Sequence, residues 1–179
     1  MKTNFLLTSL VIVLFSLTAN SQITKGNWMV GGDINYHYAD RGLNDNYWGI
    51  NLRPNVSYFI MDKLAIGVIP KTYITKGYKP SYGFGISLRY YFLKPKPMFN
   101  FFIEPRVDMS YYKDDYNVVN KSYGYGIKMG EAVFLNQSVA LEFFVDYNNR
   151  YSIYQGIKGN HFQDINIGFG FQIHLEKNK

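Results

Sequence analysis

The chain has 179 residues, among them 17 Tyr, 14 Phe, 16 Gly and no Cys, with 18% charged residues and a formal charge of +6. That length fits one domain, and the lack of cysteine excludes a disulfide framework and a lipid-modified N-terminal cysteine. Lysines and arginines stand singly, so the basic excess forms no nucleic-acid-binding patch, and the aromatic and glycine enrichment fits a β-barrel better than a helical domain.

Residues 1–21 read as a secretory leader. Lys2 supplies a basic start, an apolar run extends from Phe5 to Leu17 with breaks at Thr8, Ser9 and Ser16, and Ala19 and Ser21 are the small residues a signal peptidase requires. The run falls short of the roughly 20 apolar residues a spanning helix needs, so cleavage after Ser21 is expected rather than anchoring. Residues 22–179 then form one barrel domain.

From Trp28 onward the chain alternates with period two between polar turns. The first strand, Trp28 to Tyr38, sets Trp28, Val30, Ile34, Tyr36 and Tyr38 against Gly31, Asp33, Asn35 and His37; Ala39 to Asn46 is a loop. The second, Tyr47 to Tyr58, sets Trp48, Ile50, Leu52, Val56 and Tyr58 against Gly49, Asn51, Arg53, Asn55 and Ser57, and turns at Ile60 to Lys63. The third, Leu64 to Ile74, has Ile66 and Val68 on one face with Gly67 and Lys71 on the other, before a loop at Thr75 to Pro80. The fourth runs Tyr82 to Phe92, with Gly83, Gly85, Ser87, Arg89 and Tyr91 on its polar face, into a tight turn at Leu93 to Pro97.

The fifth strand, Met98 to Tyr112, sets Phe99, Phe101, Ile103, Val107, Met109 and Tyr111 against Asn100, Glu104, Arg106, Asp108 and Ser110; Lys113 to Lys121 is its loop. In the sixth, Ser122 to about Phe134, Glu131 breaks the chemical parity and predicts a bulge or an interfacial position. After the turn Leu135 to Ser138, the seventh, Val139 to Tyr147, has Glu142, Phe144 and Asp146 on its polar side. Asn148 to Asn160 is the longest predicted loop, so that short turns alternate with longer loops as in transmembrane barrels. The last strand, Asp164 to Leu175, alternates without a break: Ile165, Ile167, Phe169, Phe171, Ile173 and Leu175 against Asp164, Asn166, Gly168, Gly170, Gln172 and His174. Pro54, Pro70 and Pro105 fall inside strands, where a closed sheet has no edge to accept them, and are expected at bulges.

The expectation is an all-β, eight-stranded antiparallel up-and-down transmembrane barrel. Volume assigns the faces: on the order of forty bulky apolar side chains cannot fit in a lumen just wide enough to be filled by side chains, whereas glycine, small polar groups and paired charges can. The apolar face therefore points outward, where in water it would be an untenable patch. A bilayer suits it.

On these features, over Ile23 to Leu175, the chain resembles the small outer-membrane β-barrel proteins of Gram-negative bacteria, the group that includes the OmpA membrane domain and OmpX. Asn166, Gly168, Phe171 and Ile173 resemble the terminal signal by which such barrels are recognised for assembly, although the strand ends on Leu175 and a polar tail follows it. The resemblance implies a bacterial outer-membrane location, outer-membrane lipid and the barrel-assembly machinery as partners, a monomer, and a surface ligand of unspecified kind. That group spans anchors, adhesins, secretion components and lipid-modifying enzymes.

The candidate interior network is Asp33, Arg53, Lys71, Arg89, Glu104, Arg106, Asp108, Lys128, Glu142 and Asp146. Its signs balance, and because an unpaired buried charge costs several kcal/mol, the charges are expected to pair and plug the lumen rather than line an ion path. Trp28, Tyr36, Tyr38, Trp48, Tyr58, Phe59, Tyr90, Phe92, Tyr111, Tyr123 and Tyr147 are expected as aromatic girdles at the two membrane interfaces. Catalysis would need a nucleophile beside a base; His37 and His161 with Ser152 or Asp164 are the only candidates, and a seam histidine without catalytic role is the simpler reading. His174 sits at the opposite end. No metal-ligand spacing or phosphate loop occurs, so no cofactor or metal is expected. The function read from sequence is a non-enzymatic structural or surface-interaction barrel (adhesion or envelope integrity), against the alternatives of a narrow channel, a lipid-modifying enzyme and an exported lipocalin-like binder.

Overall fold

The computed structural model describes residues 23–40, 46–94, 98–113, 118–154 and 157–176, of which 37–40, 46, 47, 154, 158 and 160 are described as backbone alone. The leader expected at 1–21 lies outside them. Eight strands follow in chain order: β1 (Trp28–Asp40), β2 (Asn46–Met61), β3 (Leu64–Thr75), β4 (Ser81–Tyr91), β5 (Phe99–Lys113), β6 (Val119–Phe134), β7 (Val139–Tyr154) and β8 (Ile157–Leu175). Each is antiparallel to its neighbours, and β1 pairs with β8 to close an up-and-down barrel. Both described ends of the chain and the turns after β2, β4 and β6 lie at one end, the base. The opposite end is the mouth.

Alternation sends the expected faces to the expected sides. Phe84, Ile86, Leu88 and Tyr90 of β4 face outward while Ser87, Arg89 and Tyr91 are buried, and the same rhythm runs along every strand. At Glu131, where a bulge or an interfacial position is expected, there is no bulge. The β5–β6 register runs unbroken from Val119 to Val133, and Glu131 takes an outward position near the base, between Phe101 and Phe143. Its departure is one of chemistry, not of geometry.

The expected long loop Asn148 to Asn160 is mostly strand. β7 continues to Tyr154 and β8 begins at Ile157, with Arg150 opposite Phe162 and Tyr151 opposite His161. The segment's asparagines read as loop formers, but Tyr151, Ile153, Tyr154 and Ile157 carry enough aromatic and β-branched character to continue the ladder. β6 likewise starts at Val119, inside the expected loop 113–121. The alternation of short turns and long loops therefore does not hold, because the strands run on toward the mouth and use up the loop.

The three strand prolines are not at bulges. Pro54 and Pro70 stand opposite each other between β2 and β3, where pairing stops at Leu52–Thr72 and resumes in the same register at Val56–Val68. Pro105 sits where the β4–β5 ladder lapses between Ser87–Arg106 and Tyr90–Ile103. Proline has no N–H to give a ladder, so each gap spans the missing donor without changing register. All three rings face outward.

The seam between the first and last strands is the shortest ladder, from Trp28–Leu175 to Asp33–Gly170. Gly31 and Gly32 make it possible: a Cβ on Gly31 would stand 2.0 Å from the Phe171 carbonyl oxygen, and Gly32 holds φ +150° while packed on Arg53 and Pro54. Beyond Asp33, β1 pairs only with β2 and the facing part of β8 only with β7. Side chains beside this gap are correspondingly bare, with Ile34 69% and Ile167 84% exposed against 45% for Phe84 and Val145 elsewhere on the outer face. Amides of residues 34–40 directed toward β8 should therefore exchange with solvent deuterium at least about tenfold faster than those of 28–33. Residue-resolved exchange in lipid nanodiscs measures this; uniform protection along β1 would show that the seam is closed throughout.

Candidate functional site: the barrel lumen

The base is sealed by apolar side chains. Ile23, Met29, Phe59, Ala65, Tyr91, Phe102, Ala132, Phe134, Ala140 and Phe144 form one buried cluster, and the Ile23 carbonyl holds the chain there by accepting from Lys63 N at 2.7 Å. His174 is fully buried among them, its ring 5.3 Å from Phe134 and 5.9 Å from Phe59. Phe59, expected in the outer aromatic girdle, belongs to this cluster instead. Parity exposes the error: Phe59 is two residues from inward Ser57, as Phe102 is from Glu104 and Met29 from Gly31. The signal was the strand period, overridden by a rule that bulky residues face lipid.

Above the aromatic base lies charge. Arg89 donates from Nε to Glu104 Oε2 at 2.5 Å and from Nη1 to Glu142 Oε1, while its guanidinium plane rests over Phe102 at 4.3 Å. Gln172 Nε2 donates to the second Glu142 oxygen. One layer higher, Arg53 reaches Asp33 at 2.6 Å and Asp146 at 2.7 Å, and Lys128 Nζ reaches the other Asp33 oxygen at 2.7 Å. Arg106 donates to Asp146 and to Asn148 Oδ1. Lys128 also lies 3.9 Å from Glu104 and over the Phe144 ring at 4.4 Å, which ties the two layers together. Nearest the mouth, Lys71 pairs with Asp108 at 2.6 Å.

Every residue of the sequence-derived network thus sits in the lumen and has an opposite charge within salt-bridge distance. Alternate spacing puts Glu104, Arg106 and Asp108 on one face of β5, and the β4–β5 register sets Arg89 level with Glu104. Bidentate guanidinium forks suit such pairing because planar donors match carboxylate geometry. Eight of these ten residues are buried, Lys71 and Asp108 being the exceptions.

Toward the mouth the lumen opens into two adjoining cavities of about 430 and 850 Å³. Tyr73, Tyr112, Ser122 and Arg150 border both. Arg150 pairs with Asp164 at 2.9 Å, and Ser110 and Ser122 share a 2.6 Å hydrogen bond. His161 is stacked on Tyr151 with ring centroids 4.5 Å apart, and its Nε2 lies 2.7 Å from Asn149 Oδ1. Asp164 is engaged by Arg150 and Asn148. The β1–β8 ladder stops short of both His37 and His161, and the His37 side chain lies outside the described residues. Among the described residues no group of three or more His, Asp or Glu side chains is placed to hold a metal.

No family model matches the chain, and no curated protein matches it in sequence. Solved structures do match. The N-terminal β-barrel domain of Pseudomonas aeruginosa OprF superposes with a TM-score of 0.59 at 9% identity, over 84% of this chain and 98% of that one. Neisserial surface protein A gives 0.60 at 15% identity, over 83% and 97%, and the outer membrane protein OprG of Pseudomonas aeruginosa gives 0.50 at 15% identity, over 85% and 98%. The fold is that of the small outer-membrane β-barrels.

In this outer-membrane-type barrel the aromatic residues distribute over two levels. Trp28 and Tyr58 meet at the base with centroids 5.0 Å apart, and Tyr90 contacts Phe92 edge to face at 5.4 Å near the same end. Tyr36, Tyr111 and Tyr123 are exposed on the mouth half, and Trp48 is half-buried there. Tyr147 is displaced from the expected girdle: β7 runs on to Tyr154, which leaves Tyr147 in mid-strand between Ile127 and Ile165. The Tyr38 side chain lies outside the described residues. Asn166, Gly168, Phe171 and Ile173 lie on β8, with Gly168 inward and Phe171 outward.

Glu104 carries the clearest energetic test. It is fully buried and bonded to Arg89, so Glu104→Ala should destabilise the barrel by about 3 to 5 kcal/mol, the cost of breaking a buried pair. Urea unfolding in lipid vesicles checks it, with exposed Glu176→Ala as the control. Equal, negligible shifts would contradict the lumen assignment.

Proposed function

We propose that the chain works as a closed, non-enzymatic barrel of the bacterial outer membrane, exported with removal of residues 1–21. Its role in this reading is structural or surface-interacting, with its mouth presented outward. The observation that carries the reading is the stacked lumen. An aromatic base and paired charges above it fill the cross-section, while the outer face is apolar. Ordinary solutes and ions have no path through such a stack, since each charge there is neutralised by a neighbour and separating them costs several kcal/mol.

The cavities at the mouth favour surface interaction over pure anchoring. Their volumes fall in or near the range of ligand pockets, and tyrosines, amides and Arg150 line them. Outer-membrane lipid would surround the apolar face, the barrel-assembly machinery would insert the chain through β8, and the protein would act as a monomer.

Two measurements test this. The mature protein should fractionate with the outer membrane and migrate differently in gels before and after boiling; recovery as a soluble monomer without detergent would refute the placement. In planar bilayers the purified protein should show no steady conductance, and reproducible single-channel steps would replace the plug with a channel.

A further inference from the structure

Among the paired charges lies a small internal cavity of about 10 Å³, bordered by Arg53, Asn55, Glu104 and Arg106, with Asp33, Lys128 and Ile69 completing its wall. Four buried polar atoms of those first four residues have no hydrogen-bond partner within the protein: Arg53 Nη2, Asn55 Oδ1, Glu104 Oε1 and Arg106 Nε. Two are donors and two are acceptors. Leaving all four unmet at this depth would be costly, because a buried unsatisfied polar group loses its full solvation.

We propose that this cavity is a binding site for one water molecule, which accepts from Arg53 Nη2 and Arg106 Nε and donates to Asn55 Oδ1 and Glu104 Oε1. The stoichiometry fits, since water makes up to four hydrogen bonds, two in each direction, and one molecule needs about 10–15 Å³ of such space. Charge excludes the competitors. A sodium ion would face Arg53, Arg106 and Lys128; a chloride ion would face Glu104, Asp33 and the Asn55 amide oxygen. Only a neutral molecule that both donates and accepts meets every group.

The prolines explain why the site lies at this level. Pro54, Pro70 and Pro105 face outward where the β2–β3 and β4–β5 ladders lapse. Their six chain neighbours therefore face inward, and five of them, Arg53, Asn55, Ile69, Glu104 and Arg106, border the cavity, while Lys71 lines the wider cavity toward the mouth. Three outward rings thus place five of its wall residues. The water joins the Arg89–Glu104 layer to the Arg53–Asp146–Arg106 layer, a junction that Lys128 also makes by reaching both Asp33 and Glu104. The proposal depends on lumen geometry alone and stands or falls separately from the cellular role.

The test is a high-resolution crystal structure of the mature protein from a lipidic phase, before and after a bromide soak. The expected result is one oxygen-sized peak within about 3.2 Å of all four atoms, unchanged and without anomalous signal after the soak. Asn55→Leu, which removes an acceptor and fills space, should lose the peak. An anomalous bromide peak at the site would overturn the proposal in favour of an anion site. So would a wild-type map with no peak there and Arg53 and Arg106 turned to other partners, whether or not the Asn55 variant folds.

Discussion

Arg89 is the largest fully buried side chain among the described residues, and a guanidinium cannot shed its charge to suit its surroundings. Everything around it answers that constraint. Glu104 and Glu142 approach it from β5 and β7, so two acids meet one base and a second base is required nearby. Lys128 supplies it, which draws in Asp33, and Asp33 in turn holds Arg53, whose free fork takes Asp146. The lattice is a chain of obligations that runs on through Asp146 to Arg106, and the wetter Lys71–Asp108 pair stands beside it toward the mouth. A narrow closed sheet permits this because opposite walls lie within reach of two long side chains.

The same narrowness explains how much was legible in the sequence. Period two, fixed by the pleat, sorted the interior charges onto one face of each strand, and balance of sign implied pairing. Which acid meets which base depends on register, and period two alone does not fix it. The aromatic base was hidden for a different reason. Phe59 and Phe102 obey inward parity, but hydrophobicity has two destinations in a membrane barrel, lipid and the sealed end of the lumen, and composition does not separate them. Strand ends were similarly obscure at Asn148 to Asn160, where asparagine favours turns locally but the neighbouring strands offer a ladder that outweighs the preference.

The prolines show a local rule yielding to a global one. In isolation each argues against a central strand. Placed opposite one another, as Pro54 and Pro70 are, they forfeit hydrogen bonds that neither partner could have made, so the loss at one position is shared by the other. Register survives, and the inward neighbours remain aimed at the lumen.

The short β1–β8 ladder has a consequence for how the barrel forms. Every other pair of neighbours is joined by a local connection and can zip as a hairpin, whereas this one unites Trp28 with Leu175, the extremes of the strand order. Closing a loop of that length costs on the order of 5 kcal/mol in chain entropy before any contact is gained. That contact order marks ring closure as the slow, late event. Because the ladder lies wholly at the base, where Gly31 and Gly32 admit close approach, the ring must be fastened from the base upward, and its last freedom to open is retained at the mouth.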